Sequence, residues 1–172
     1  VERSRGLGDV YKRQNQSIRD SLIKLIDGEG NYQCVPMQGS GTFAVESMIS
    51  SLTSKDAHIL ILINGAYGQR MKKMCSYLGR NIIEYEVAEH EPHDIKKLEE
   101  IIDANPQLTH VFAVYCETTS GILNPIEDIA SLVEKKNLSL FIDAMSAFGA
   151  LPLSSKDTVS YTHLRAHETS LH

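Results

Sequence analysis

The chain predicts an α/β fold: three layers, with helices on both faces of a mainly parallel sheet. Three observations carry that expectation. Apolar runs rich in Ile, Leu, Val and Phe recur at 58–63, 82–87, 110–115 and 138–143. Segments with apolar residues at helical spacing separate them. The runs are short and bounded by turn residues, so helical crossovers rather than tight hairpins connect them.

The elements follow in order. Ile18, Leu22, Leu25 and Ile26 share one face of a helix that should stop at Gly28 and Gly30. Tyr32–Met37 reads as a first strand. After the small-residue turn Gln38-Gly39-Ser40-Gly41-Thr42, Val45, Met48, Ile49 and Leu52 again have helical spacing. His58–Ile63 is a continuous apolar strand, the pattern of a strand buried on both faces. Tyr67–Leu78 is the next helix, ended by Gly79, and Ile82–Val87 the next strand. Asp94 suits the cap of a helix with Ile95, Leu98, Ile101 and Ile102 inward. His110–Tyr115 is the fourth strand. Pro125 suits the first turn of a helix reaching about Lys136, and Leu138–Asp143 is the fifth strand.

The two ends do not share these patterns. Residues 1–14 (VERSRGLGDVYKRQ) show no apolar period, and residues 158–172 (TVSYTHLRAHETSLH) hold three of the seven histidines and no core pattern. Both strings are similar to translated adapter sequence; the alternative is a pair of disordered termini. The expected folding unit is therefore 15–157.

Composition narrows the function classes. A chain of 172 residues suffices for one domain with a core, because a chain near this size buries about 70% of its unfolded surface. Hydrophobic content of 42% and charged content of 23% are those of a soluble globular protein. A net charge of −5 speaks against non-specific nucleic-acid binding, which needs a basic face. Cys34, Cys75 and Cys116 are odd in number and lack metal or redox spacing, so they are expected as reduced, buried thiols of a cytoplasmic protein. No run is long enough to span a bilayer, and no signal peptide is evident, so no membrane role is expected.

In a parallel α/β sheet, ligands sit outside the carboxyl ends of the strands. Four segments follow predicted strands: the 38–42 turn, Asn64-Gly65-Ala66-Tyr67-Gly68, Glu117-Thr118-Thr119-Ser120-Gly121, and Asp143 itself. All are expected on one rim. Gly39 and Gly41 let backbone N–H groups close on an anion, Ser40 and Thr42 add hydroxyls, and a helix follows with its positive end there. The same turn also serves as a plain helix cap. The spacing matches neither a Walker loop nor a dinucleotide fingerprint. Asp143 either caps the next helix or faces a protonated ring nitrogen. Tyr67 is either a rim tyrosine or a stacking surface for a flat ring. Thr118 is either a turn hydroxyl or a donor to a ring oxygen. The His90-Glu91-Pro92-His93-Asp94 cluster fits a solvated loop and helix cap better than a metal site, and no nucleophile-elbow triad is visible.

Four strings in order, QGSGTFAVES at 38–47, INGAYGQRM at 63–71, ETTSGILNPI at 117–126 and FIDAMSAFGALPL at 141–153, resemble the class V aminotransferases of fold type I. The resemblance covers roughly residues 15–155. It implies pyridoxal 5′-phosphate as cofactor, with Ser40, Gly41 and Thr42 on its phosphate. It puts Tyr67 on the ring face, Thr118 beside the ring hydroxyl and Asp143 on the pyridine nitrogen. It also implies a small-molecule amino donor, a 2-oxo acid acceptor and a homodimeric parent. The Met-Ser-x-Phe-Gly string after Asp143 resembles the branch that acts on 2-aminoethylphosphonate and pyruvate. The alternatives are the alanine–glyoxylate and serine–pyruvate branches, or a non-catalytic α/β module for a phosphorylated ligand. The family's Schiff-base lysine is expected beyond Lys156, the nearest candidate. The chain therefore reads as a partial large domain, inactive by itself.

Overall fold

The computed structural model describes residues 2–155. The core is a four-stranded, all-parallel sheet in the order β2-β1-β3-β6, built from β1 (His58–Ile63), β2 (Asn81–Glu86), β3 (His110–Val114) and β6 (Ser139–Asp143). A small antiparallel pair, β4 (Cys116–Glu117) and β5 (Ile122–Leu123), stands apart from it.

The alternation of side chains along the strands divides the core into two layers. Leu60, Leu62, Val111, Ala113, Leu140 and Ile142 face α4 (Ile95–Ala104) and α5 (Ile126–Lys135), packing on Leu98, Ile102, Ile129 and Val133. Ile59, Ile61, Ile63, Phe112, Val114 and Phe141 face α2 (Gly41–Leu52) and α3 (Ala66–Tyr77), packing on Val45, Met48, Ile49, Met71 and Cys75. Central strands covered on both faces need apolar residues at every position, which is why β1 reads as an unbroken run. The fold class is the expected three-layer α/β architecture.

Connectivity positions the site. From β1 the chain crosses through α3 to β2 on one side. It then returns through α4 to β3 on the other side of β1. The winding reverses between β1 and β3, and a crevice opens outside the carboxyl ends of such a strand pair. Helix α2 precedes β1 and runs back along the sheet for about 18 Å, at 1.5 Å per residue. Its last turn lies at the start of the strands, where Arg80 Nε donates to Thr53 Oγ1 at 2.8 Å. Its first turn therefore lies at their carboxyl ends.

Several elements depart from the sequence expectations. Residues 32–37 form no strand; they are mostly exposed loop and find no ladder partner among the described residues. The first helix, α1 (Glu2–Leu25), begins well before Ile18 and includes residues 2–14. Its expected inner face stays open: Ile18 is 55% and Leu25 is 59% exposed, and only Ile26, just past the helix, is buried. Asp27 at φ 52 and Gly30 at φ 84 turn the chain away, as the glycine-rich stop predicts. The β4–β5 pair was not foreseen. Pro125 is the N-cap of α5 rather than part of its first turn. Lys156 and residues 158–172 lie outside the described residues.

Candidate functional site

The Gly39–Thr42 turn is built by its glycine. Gly39 has φ +141, and a Cβ there would meet Phe43 Cδ1 at 2.9 Å. Ser40 caps α2, its Oγ accepting from Phe43 N at 3.3 Å, and stays exposed. No acidic residue occupies the first turn of α2, so the positive end of the helix is uncompensated. Thr42 Oγ1 accepts from Arg70 Nη1 of α3 at 3.3 Å.

Beyond β1, Gly65 enters the first turn of α3. Helix α3 has no side-chain cap and no acid in its own first turn. Glu117, from β4, supplies one instead. Its two carboxylate oxygens each lie 3.3 Å from Tyr67 N, and Oε1 also accepts from Thr119 Oγ1 at 3.0 Å. Glu117 is fully buried. Any Cβ on Gly65 would collide with Glu117 Cγ and Cδ, so this position excludes every other residue unless the carboxylate moves. The Tyr67 ring, half-buried, carries the Arg70 guanidinium over one face at 5.1 Å from its centroid.

Asp143 ends β6, buried to 8% exposure. Its Oδ1 accepts from Met145 N at 3.1 Å, which closes a tight turn. No cation pairs with it among the described residues. Three residues on, the Ser146 hydroxyl hydrogen-bonds that of Thr118. Contacts thus run from Thr42 through Arg70, Tyr67, Glu117 and Thr118 to Ser146, beside Asp143. Ser40, Gly41, Thr42, Tyr67, Thr118 and Asp143 all come to one end of the sheet. Sequence reasoning quoted Glu117 and Ser146 within motifs but assigned them nothing. A polar Glu-Thr-Thr-Ser-Gly string gives no sign that its carboxylate is buried.

Beneath this rim lies a buried amide network. Asn64 Nδ2 donates to Asn124 Oδ1 at 2.9 Å and to Glu91 O at 3.1 Å. Asn124 Nδ2 donates to Val114 O at 2.8 Å, which fixes the orientation of its amide. Asn124 Oδ1 also accepts from His93 Nδ1 at 3.0 Å. His93 is 3% exposed, so the expectation of a solvated loop fails at this residue. Burial pushes its imidazole pKa below the ordinary value, against a smaller raising effect of its Asn124 hydrogen bond. Asp94 does cap α4, accepting from Lys97 N at 2.8 Å. No group of His, Cys, Asp and Glu among the described residues is arranged to hold a metal ion. Of the three free thiols only Cys75 is buried, and burial pushes its pKa up to about 12; Cys34 and Cys116 are half-buried, contrary to expectation. No helix of the described residues is long and apolar enough to cross a membrane.

Known proteins resemble this chain in sequence and fold. The family model for aminotransferase class V matches residues 4–160. The chain is 45% identical over 147 residues to a 2-aminoethylphosphonate–pyruvate transaminase of Pseudomonas putida (strain W619), covering 86% of this chain and 40% of that relative. A transaminase of the same name from Pseudomonas aeruginosa (strain UCBPP-PA14) is 45% identical over 146 residues, covering 85% of this chain and 39% of the relative. The chain thus spans about 40% of the length of the curated relatives it matches. Among solved structures, pyridoxamine-pyruvate aminotransferase from Mesorhizobium loti superposes with TM-score 0.80 at 26% identity, over 86% of this chain and 38% of that one. An alanine–glyoxylate aminotransferase from Nostoc sp. shares the fold with TM-score 0.79 at 19% identity, over 87% of this chain and 39% of that one. The chain belongs to the class V aminotransferase family.

Proposed function

We propose that the chain is the cofactor-binding part of a pyridoxal 5′-phosphate enzyme that moves an amino group from 2-aminoethylphosphonate to pyruvate, giving phosphonoacetaldehyde and alanine. The observation that carries this is the convergence of Ser40–Thr42, Tyr67, Thr118 and Asp143 on one rim, at the reversal between β1 and β3. Relatives at 45% identity bear the name of that transaminase, which supports this choice of substrates.

The residues present fit the cofactor. Asp143 is a buried carboxylate with no cation among the described residues, which suits a group that presents a protonated ring nitrogen. The uncompensated start of α2, with the Ser40 and Thr42 hydroxyls, suits a phosphate. In this reading Ser40, Gly41 and Thr42 hold the phosphate, Tyr67 lies on the ring, Thr118 donates beside the ring hydroxyl and Asp143 holds the proton on the ring nitrogen. When bound, the cofactor supplies an electron sink for the carbon next to the amine. The covalent lysine and the remaining cations for a phosphonate dianion come from parts of the enzyme outside this chain, or from a second subunit of a cytoplasmic homodimer.

The test is an assay of the full-length enzyme with both substrate pairs under matched conditions. The expected result is a higher kcat/KM with 2-aminoethylphosphonate and pyruvate than with alanine and glyoxylate. The reverse ranking moves the protein to the alanine–glyoxylate branch and leaves fold and cofactor in place. A protein that binds a phosphorylated ligand but transfers no amino group is the non-catalytic module.

A further inference from the structure

We infer that Glu117 is a positioning residue that presets Tyr67 and Thr118 for the cofactor ring. The inference rests on the cofactor reading above and goes beyond it, since Glu117 itself touches neither phosphate nor ring in that reading.

A fully buried carboxylate is expensive unless hydrogen bonds or positive charge compensate it. Glu117 has no cation partner among the described residues. Its compensation is Tyr67 N, at 3.3 Å from both oxygens, the Thr119 hydroxyl at 3.0 Å, and the positive end of α3. A short local cap at position 65 would satisfy the helix with no buried acid. The structure instead has Gly65, whose missing Cβ leaves the space that Glu117 Cγ and Cδ fill. The cap therefore comes from across the switch point and joins two loops that a local cap would leave independent.

Both loops carry candidate ring contacts. On one side, the carboxylate pins the backbone of Tyr67, while Arg70 covers one face of its ring at 5.1 Å. A stacking partner must then take the opposite face. On the other side, the Glu117 carbonyl accepts from Gly121 N at 2.7 Å and Ser120 N at 3.3 Å, closing the turn that presents Thr118 to Ser146. One side chain thus fixes the distance between the Tyr67 and Thr118 segments.

The test compares Glu117→Gln, Glu117→Asp and Glu117→Ala in the full-length protein. Gln keeps an oxygen of the same reach for Tyr67 N. Asp keeps the charge but is one methylene short. Pyridoxal 5′-phosphate affinity is read by titration of the apoprotein, ring placement by the circular dichroism of the bound cofactor, and the Tyr67 contact by hydrogen–deuterium exchange of the peptide around 65–70. The expected result is a cofactor Kd raised roughly tenfold or more in Asp and Ala, with faster exchange at Tyr67 and an altered dichroic band, and near-wild-type values in Gln. Unchanged affinity and dichroism in Glu117→Asp, with Tyr67 exchange accelerated, would overturn the positioning role. Equal damage in Gln and Ala would overturn it too, since the charge rather than the reach would then matter. If Ala does not fold, the Asp and Gln pair decides. A wild-type protein that takes up no pyridoxal 5′-phosphate overturns the cofactor reading and with it the ring-positioning role, while Tyr67 exchange in the same variants still reports the Glu117 contact.

Discussion

The Arg70 guanidinium on α3 donates to the Thr42 hydroxyl on α2 across 3.3 Å, joining the first turns of two helices that meet the sheet at the same rim. A hydroxyl that accepts from arginine keeps its own proton free to donate. Arg70 is exposed, yet it bridges Thr42 and Tyr67.

Arg70→Met should therefore weaken phosphate-ester binding more than it weakens the fold. An exposed contact of this kind contributes about 0–1 kcal/mol to stability. Pyridoxal 5′-phosphate affinity of the full-length enzyme should fall severalfold while the urea midpoint barely moves. Arg70→Lys should restore less than half of the loss, because a point charge cannot both cover the Tyr67 ring and reach Thr42. A Lys variant with wild-type affinity would show that only the net charge counts.

Asp143→Ala should cost far more activity than Tyr67→Phe. A hydrogen bond to a charged partner contributes about 1.5–3 kcal/mol, or roughly ten- to a hundredfold in kcat where it is lost in the reaction. Phe keeps the apolar face of Tyr67, so a change of about threefold or less is expected there. The same Asp143→Ala change should leave the cofactor-free chain no less stable, since it removes a buried carboxylate without a counter-ion. Equal losses in kcat for the two variants would contradict the roles assigned, and a destabilised cofactor-free Asp143→Ala chain would show that the carboxylate serves the fold.

The sheet was legible because its chemistry is local. An apolar run such as Ile59–Ile63, with a helix on either side, leaves few alternatives to a buried parallel strand. Asp94 was legible as a cap for the same reason. Residues 32–37 misled because strand propensity without a neighbouring edge makes no ladder, and nothing in that window says whether an edge exists. Ile18 and Leu25 misled similarly, since a helical stripe needs a surface to cover it. The rim was legible as a set of loops after strands. The contacts that bind it, Glu117 to Tyr67 N and His93 to Asn124, were not, because they join residues 50 and 31 positions apart, a separation that no local pattern reports.

Asn124→Ala should be among the most destabilising polar substitutions in the chain. It removes the Asn124 amide from His93 Nδ1, Val114 O and Asn64 Oδ1, and takes away one of two acceptors of Asn64 Nδ2. Each buried group left unpaired costs about 1–3 kcal/mol, so a loss of roughly 3 kcal/mol is expected in urea unfolding. A loss within about 0.5 kcal/mol would mean that water replaces the network.

Stability should also fall in mild acid. The folded-state pKa of His93 lies below its ordinary value, so the unfolded chain takes up the proton first. The contribution is complete above the unfolded-state pKa, near 6.5, and is lost as the pH falls toward the lowered folded value. His110, whose pKa burial also lowers, acts in the same direction at the other end of β3. The difference in pH slope between wild type and His93→Gln isolates the part due to His93. Identical slopes between pH 7.5 and 5 would show that His93 is protonated alike in both states.

A lysine that captured the cofactor aldehyde would have to stand at the rim, beside Asp143. Four lysines of the described residues are held in ion pairs. Lys72 pairs with Glu84 on the α3–β2 side, Lys97 with Glu100 on α4, and Lys135 and Lys136 with Glu99 across α4 and α5. Lys136 also pairs with Asp103. Lys136 has its pKa raised by Asp103 and Glu99. Lys156 follows the last described residue and is the one lysine after Asp143 in the sequence. The 172-residue chain, mixed with pyridoxal 5′-phosphate and reduced with borohydride, should carry only scattered, substoichiometric label. Peptide mapping checks this. One equivalent at a single lysine, Lys156 included, would place the covalent lysine within this chain and make it catalytically self-sufficient at that step. Scattered label together with ordinary non-covalent affinity for the cofactor would leave the phosphate turn and Asp143 as the binding determinants this chain holds by itself.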